Sequence, residues 1–431
     1  MKSTVNSLGL DDEREVSDRI GDSTTERNVQ VPTKRTPEKA RAHMLDFIEM
    51  AVGAARYTKF FIPAVYLSAA AVDTAQPLGR GGSFIVTLRK IPNVRPTTHV
   101  RHARGADATY HPEPKPIPPF VVYKTAYIEF EESGFTHAEY EDRFKSVLLE
   151  LSALTHPPLL HHPNIIDFLG VAWGNNPFNL DYKLPVLVVE YAEHGTLADL
   201  QSKEILSSNE RRWLCLDVAL GLRALHQCGI VHGDVKSLNV LVFPHSTKRY
   251  IAKLADFGFS VVETNEEEMT LSGHTFPWNA PESNRLIPKE QLKLTDVYSL
   301  GLLIWVVALD GSNPFDLIIQ DVENRNSAIS HLKATDGLIP ASRLLDWYPK
   351  WDRSRHLRDF SVDDSSEPAP NLHSLSLSPS NESLPTSIQQ AQCDVFYQKL
   401  DEIFDLTLTA EPTRRRLDSV IERLQGSEDT Q

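Results

Sequence analysis

The stretch HGDVKSLN (residues 232–239) sets Asp234, Lys236 and Asn239 on one short loop. The lysine follows the aspartate by two residues and the asparagine by five. A carboxylate base, a cation and an amide oxygen able to bind a metal are thus gathered in a tight span of chain. Transfer of a phosphoryl group asks for that set: an acceptor for the hydroxyl proton, positive charge on the moving group, and a magnesium ligand. The plainer reading is a capped loop around a buried aspartate.

Further along, KLADFGFS (253–260) places Asp256 after an apolar strand and before Phe257 and Gly258. A carboxylate there suits a magnesium ion held across two phosphates. Asp256 lies 17 residues after Asn239, with room between them for a hairpin.

The bulk properties agree with a soluble globular chain. Of 431 residues, 41% are apolar, which is ample for a sizeable core. Lys and Arg number 44 against 58 Asp and Glu, a net charge of −14. That balance argues against nucleic acid as a partner, which rewards a basic face. The cysteines Cys215, Cys228 and Cys393 show no CxxC spacing. Structural zinc and a disulfide framework are therefore not expected, and a cytoplasmic or nuclear, reducing compartment is. MKSTVNSLGLDDEREV at the N-terminus has no apolar signal-peptide core. The apolar runs 60–72 and 297–309 are too short to span a bilayer, and the second reads as a helix buried all round. No membrane span is expected, and the sequence sets no oligomeric state.

Residues 1–35 are polar and poor in aromatics, the composition of a disordered tail. Thr36-Pro37-Glu38 opens a helix expected to run to about Arg56, within an N-terminal extension over 36–75. Strands are expected over 78–90, 119–130 and 186–192, and helices over 140–155, 208–228 and 295–309. Strands first and helices later predict an α+β layout, sheet-rich in front and helical behind. Two segments look inserted: 88–117, with six Lys or Arg against two acids, and the Ser/Pro-rich 361–390, whose Ser378-Pro379 offers a modification site.

With these motifs in place, residues 76–425 resemble the eukaryotic protein kinase superfamily. The resemblance implies a two-lobed α+β fold, with an N-lobe over 76–192 and a C-lobe over 193–425. It implies ATP and Mg2+ as cofactors and Ser/Thr hydroxyls of proteins as acceptors. LGRGGSFIV (78–86) stands as the Gly-rich loop, with Gly79 and Gly81 at the first two glycine positions and Val86 as the roof of the adenine. Phe84 occupies the third glycine position, a departure. Lys124 in VVYK (121–124) would bind the α- and β-phosphates, paired with Glu150, for which Glu139 and Glu141 are rivals. In the hinge VVEYAEHGTL (188–197), Val189 is the gatekeeper, and the Glu190 carbonyl and Ala192 N–H would meet the adenine edge. Leu241 would floor the pocket. Asp234 would take the substrate proton and Lys236 would steady the γ-phosphoryl group, while Asn239 and Asp256 hold the metal.

GHTFPWNAPES (273–283) resembles the end of an activation segment. Thr275 would touch Asp234 and Lys236, the serine/threonine pattern. Glu282 would pair with Arg415, crowded by Arg414 and Arg416, and Asp296 would tie down the catalytic loop. Gly233 stands where many members carry the arginine that reads activation-segment phosphate, so activity is expected not to depend on that contact. The DVKSLN and TFPWNAPE segments are most like the tyrosine-kinase-like group. Two other readings remain: a pseudokinase that binds partners without transfer, suggested by Phe84 and Gly233, and a small-molecule phosphotransferase, whose families often carry HGD but lack a WNAPE-like segment.

Overall fold

Side chains along FVVYKTA alternate between two apolar environments, and the segment forms the central strand of a five-stranded antiparallel sheet. The computed structural model describes residues 49, 76–80, 84–90, 118–126, 137–175, 183–319, 324–342 and 395–426. The expected tail 1–35, the tract 361–390 and Gly81 lie outside them. So do most of the 36–75 extension, where only Glu49 is described and is helical, and most of the 88–117 insertion.

The sheet runs β1 (Gln76–Arg80), β2 (Phe84–Lys90), β3 (Phe120–Ala126), β5 (Lys183–Glu190), β4 (Phe168–Asn175). On one face Val121 and Tyr123 pack with Leu169, Ala172, Val186 and Val188. On the other, Phe84, Val122, Ala126, Leu187 and Val189 join the main core. Period-two alternation therefore puts Lys124 on the same side as Val122 and Ala126, facing the helix α1 (His137–Thr155).

Behind the sheet the chain turns helical. α2 (Leu197–Lys203) and α3 (Ser208–Gln227) each start with a reciprocal capping box, Thr196 with Asp199 and Ser207 with Glu210. α4 (Leu294–Ala308) is buried on every residue from Thr295 onward. The helical stretch Lys289–Ala308 is long and apolar enough to cross a membrane by composition, but 83% of its apolar window is buried inside the protein. Between α3 and α4 lie three two-stranded sheets: β6 (Ile230–Val231) with β9 (Val261–Val262), the hairpin of β7 (Val240–His245) and β8 (Arg249–Leu254), and β10 (Glu268–Met269) with β11 (Ile287–Pro288). α5 (Arg325–Ala334) lies beyond α4, and α6 (Leu417–Gln425) packs along α3. The fold is α+β in two lobes, a sheet lobe and a helical lobe.

Candidate active site

The catalytic loop hangs between β6 and β7. His232 is wholly buried and fixes the loop from inside. Its Nδ1 accepts the Asp234 N–H at 3.3 Å, which leaves Nε2 to carry the proton and donate to the Ala255 carbonyl at 3.2 Å. Asp296, at the start of α4, accepts the backbone N–H groups of His232 and Gly233 at 2.8 and 2.9 Å, and meets His226 Nε2 at 2.9 Å. Burial works to raise the Asp296 carboxyl. The His226 bond, the nearby imidazoles and the Gly233 N–H outweigh it and hold the group below the usual carboxylate range.

Asp234, Lys236, Asn239 and Thr275 form one connected set. Asp234 Oδ2 accepts from Lys236 Nζ at 2.6 Å and from Asn239 Nδ2 at 2.8 Å. The same ammonium donates to Thr275 Oγ1 at 2.7 Å, so Thr275 touches Lys236 directly and reaches Asp234 through it. Asp234 Oδ1 is buried and finds no hydrogen-bond partner among the described residues. An unpaired carboxylate oxygen inside a protein is costly, and a group that arrives with its own donor, such as a substrate hydroxyl, would satisfy it.

Asp256 follows β8, where the Ala255 N–H donates to the Asn239 carbonyl at 2.9 Å. Its backbone is in the left-handed region (φ +64) and its side chain is exposed. Such a conformation costs on the order of 1 kcal/mol for a residue with a Cβ. Phe257, by contrast, is fully buried against the His232 ring, with centroids 5.2 Å apart. The Phe257 N–H donates to Glu150 Oε2 at 2.6 Å, and Lys124 Nζ bonds Glu150 Oε1. One buried carboxylate thus joins β3, α1 and the strand-end carrying Asp256. Burial disfavours the Lys124 ammonium, but Glu150 and then Asp256 outweigh it, and its pKa stands above the ordinary lysine value. A Cβ on Gly258 would fall 2.3 Å from Ser146 Oγ, so glycine is what lets α1 lie this close to the Asp256 segment. The side chains of Glu139 and Glu141 lie outside the described residues.

The nucleotide end is apolar. Val86 and Leu241 are half-buried against the core, and Val189 and Ala192 are buried. Among the described residues nothing crowds Gly79, where an added Cβ would meet no atom within 4 Å. The Glu190 side chain, given no task by the sequence reading, accepts the Asp167 N–H at 2.7 Å and the Lys253 ammonium at 2.6 Å. It ties the hinge to β8. A cavity of about 440 Å³, lined in part by His162, Asp167, Glu190, Phe243 and Lys253, lies at this network and includes none of the residues expected to react.

Among the described residues, no cluster of three or more His, Cys, Asp or Glu stands as a ready metal centre. Magnesium does not need one, since it is commonly held by one or two carboxylates with substrate phosphates supplying the rest. Asp256, exposed, fits that role. Asn239 fits as well, because its amide nitrogen is committed to Asp234 and its oxygen is left for another partner.

The protein kinase domain family matches residues 130–390 of this chain. The chain belongs to the protein kinase family. Among curated relatives, this kinase is 33% identical over 175 residues to serine/threonine/tyrosine-protein kinase HT1 of Arabidopsis thaliana, covering 39% of this chain and 40% of the relative. It is 35% identical over 179 residues to serine/threonine-protein kinase CTR1 of the same plant, covering 40% and 20%. It is 30% identical over 173 residues to fibroblast growth factor receptor 1 of Dugesia japonica, covering 37% and 19%. The alignments thus span 40% or less of each of these relatives. The family match starts after Gly79, Val86 and Lys124, yet the kinase's sheet brings Lys124 onto Glu150 inside it. At the other end α6 packs on α3 beyond residue 390.

Three features of this kinase had no signal in the sequence. The Glu190–Lys253 pair joins residues 63 apart. His226 reaches Asp296 across 70 residues. Lys333 of α5 is buried and donates to the carbonyls of Pro277 and Asn279, at the end of the activation segment.

Proposed function

We propose that this kinase transfers the γ-phosphate of MgATP to serine or threonine hydroxyls of protein substrates. One observation carries the reading: Asp234, Lys236, Asn239 and Thr275 are bonded into one cluster, and the segment carrying Asp256 joins it to the Lys124–Glu150 pair, with the Ala255 N–H donating to the Asn239 carbonyl and the Phe257 N–H to Glu150. Asp234 receives the substrate hydroxyl at Oδ1 and takes its proton. Lys236 holds Thr275 and lends positive charge to the reacting centre. Lys124, kept charged and aimed by Glu150, meets the α- and β-phosphates. Val86, Leu241 and the hinge backbone at Glu190 and Ala192 enclose the adenine. Asn239 and Asp256 hold magnesium, which when bound neutralises phosphate charge. Positioning and electrostatics carry such catalysis, with no covalent intermediate on the protein.

The Lys236–Thr275 bond supports serine/threonine over tyrosine acceptors, because it joins the two residues that carry the serine/threonine pattern. Cys215 and Cys228 are free thiols, in keeping with a reducing, intracellular place of work.

The test is a transfer assay with labelled ATP and a mixed peptide library, comparing wild type with Asp234→Asn. Label on Ser or Thr from wild type alone supports the reading. Equal background from both proteins overturns it in favour of a scaffold, the second reading, which Phe84 beside Lys124 favours.

A further inference from the structure

Phe84 stands two residues before Val86 on β2, and both side chains point to the cleft side of the sheet. Val86 lies directly across from Lys124, and Phe84 is its diagonal neighbour through Ala126. Side chains in that relation touch when one is aromatic and the other long. Here they do: the Lys124 ammonium is 4.6 Å from the centroid of the Phe84 ring. The ring is 4% exposed. Glu150 holds the ammonium from one side and the ring covers it from another, leaving the lysine side chain 12% exposed.

A nucleotide's phosphates need the space on the cleft side of that ammonium. An aromatic face offers them no donor, and its quadrupole presents negative charge to an anion. The ring also satisfies the cation that the phosphates would otherwise neutralise. The adenine end is lined by the apolar side chains of Val86, Leu241, Val189 and Ala192.

We propose that Phe84 closes the phosphate end of the cleft, so that the protein accepts a nucleoside more readily than a triphosphate until the ring swings off Lys124. The inference rests on the ATP site proposed above and assigns Phe84 as the residue that sets nucleoside against nucleotide selectivity. The Phe84 side chain is the barrier.

Binding of ATP (with Mg2+) and of adenosine to wild type and to Phe84→Gly, followed by calorimetry, tests it. ATP is expected to bind about tenfold tighter to the variant, the factor worth 1.4 kcal/mol, while adenosine is unchanged. Because Phe84 also fills core, Phe84→Leu is measured alongside: it keeps apolar volume, lacks the π face and ends short of the ammonium. It should tighten ATP in the same direction, and it decides the matter if the glycine variant does not fold. Unaltered ATP binding in the folded variant, or equal shifts for ATP and adenosine, overturns the proposal. The transfer assay on wild type and Asp234→Asn stands apart from this result, so a failure of the gate and a failure of the kinase reading are told apart.

Discussion

The Gly233 N–H donates to Asp296 Oδ1 at 2.9 Å, and it does so from a left-handed backbone, φ +77. A Cβ at this position would fall 2.5 Å from the Phe259 carbonyl oxygen. The absence of the arginine common in the family is thus built into the loop: this backbone has no room for a side chain. Gly233→Ala should cost about 1–2 kcal/mol from conformation alone, more from the clash, and should misplace Asp234 next door. Thermal melting and the transfer assay check both parts. A Gly233→Arg protein as stable and active as wild type would refute the argument.

The same vacancy bears on regulation. With no arginine at 233, phosphate on the activation segment lacks its usual reader at the catalytic loop. Thr270 and Ser272 are exposed, and the Ser272 hydroxyl makes only a long bond, 3.4 Å, to the Ser260 carbonyl. Thr270→Ala and Ser272→Ala should each transfer phosphate at the wild-type rate. Loss of activity in either, restored by a carboxylate at the same place, counts against this. Thr275 is no fair test, because its hydroxyl binds Lys236.

Lys124→Met is expected to abolish transfer while the chain still folds. Stability should fall as well, because Glu150 is 1% exposed and would keep only the Phe257 N–H with Asp256 nearby. Breaking one side of a buried pair costs about 3–5 kcal/mol where no rearrangement relieves it. Transfer and urea unfolding measure the two effects. Retained full activity would show that another lysine serves ATP.

Arg415 and Glu282 form a two-armed pair at 0% and 1% side-chain exposure, Nη2 to Oε2 at 3.1 Å. Arg415→Met or Glu282→Gln alone should destabilise by about 3–5 kcal/mol. The double variant Arg415→Met with Glu282→Met should lose less than the sum, because no unpaired charge stays buried. Additive losses in urea unfolding would mean that the two side chains act independently.

These pairs mark how far the sequence reaches. Asp234, Lys236 and Asn239 are legible because six residues of one loop cannot carry them far apart. Lys124 with Glu150 and Arg415 with Glu282 are legible through the family pattern, yet rivals stood beside each. Packing decides between them: Arg415 is buried while Arg414 and Arg416 are exposed, a distinction that the run RRR does not contain. The orientation of Phe84 follows from strand period, but its distance from Lys124 depends on how β2 and β3 register. The Glu190–Lys253 link and buried Lys333 were not legible. In RNSAISHLKA a lysine near a helix end reads as a solvated charge, and only the fold brings α5 against the activation segment.

Lys333 supplies the pH prediction. It is 2% exposed and donates to the Pro277 carbonyl at 2.8 Å, the Asn279 carbonyl, and Asn279 Oδ1 at 3.3 Å. The rings of Phe276 and Tyr298 lie beside it. Burial drives its pKa down to about 7; Glu282 pulls the other way and Arg415 adds to the fall. An unfolded lysine titrates near ~10.4. Between those values the unfolded chain binds the proton and the folded chain does not, so stability rises with pH across that window. Below about pH 7 the cost of charging Lys333 in place is present in full. Wild type should therefore gain on Lys333→Met by up to about 1.4 kcal/mol per pH unit from pH 7 toward 10, read as the difference in urea midpoints. The other groups near Lys333 are common to both proteins, which is why the difference isolates it. A difference flat from pH 7 to 9 would mean that three oxygens keep the ammonium charged in the fold, and the desolvation argument would fail.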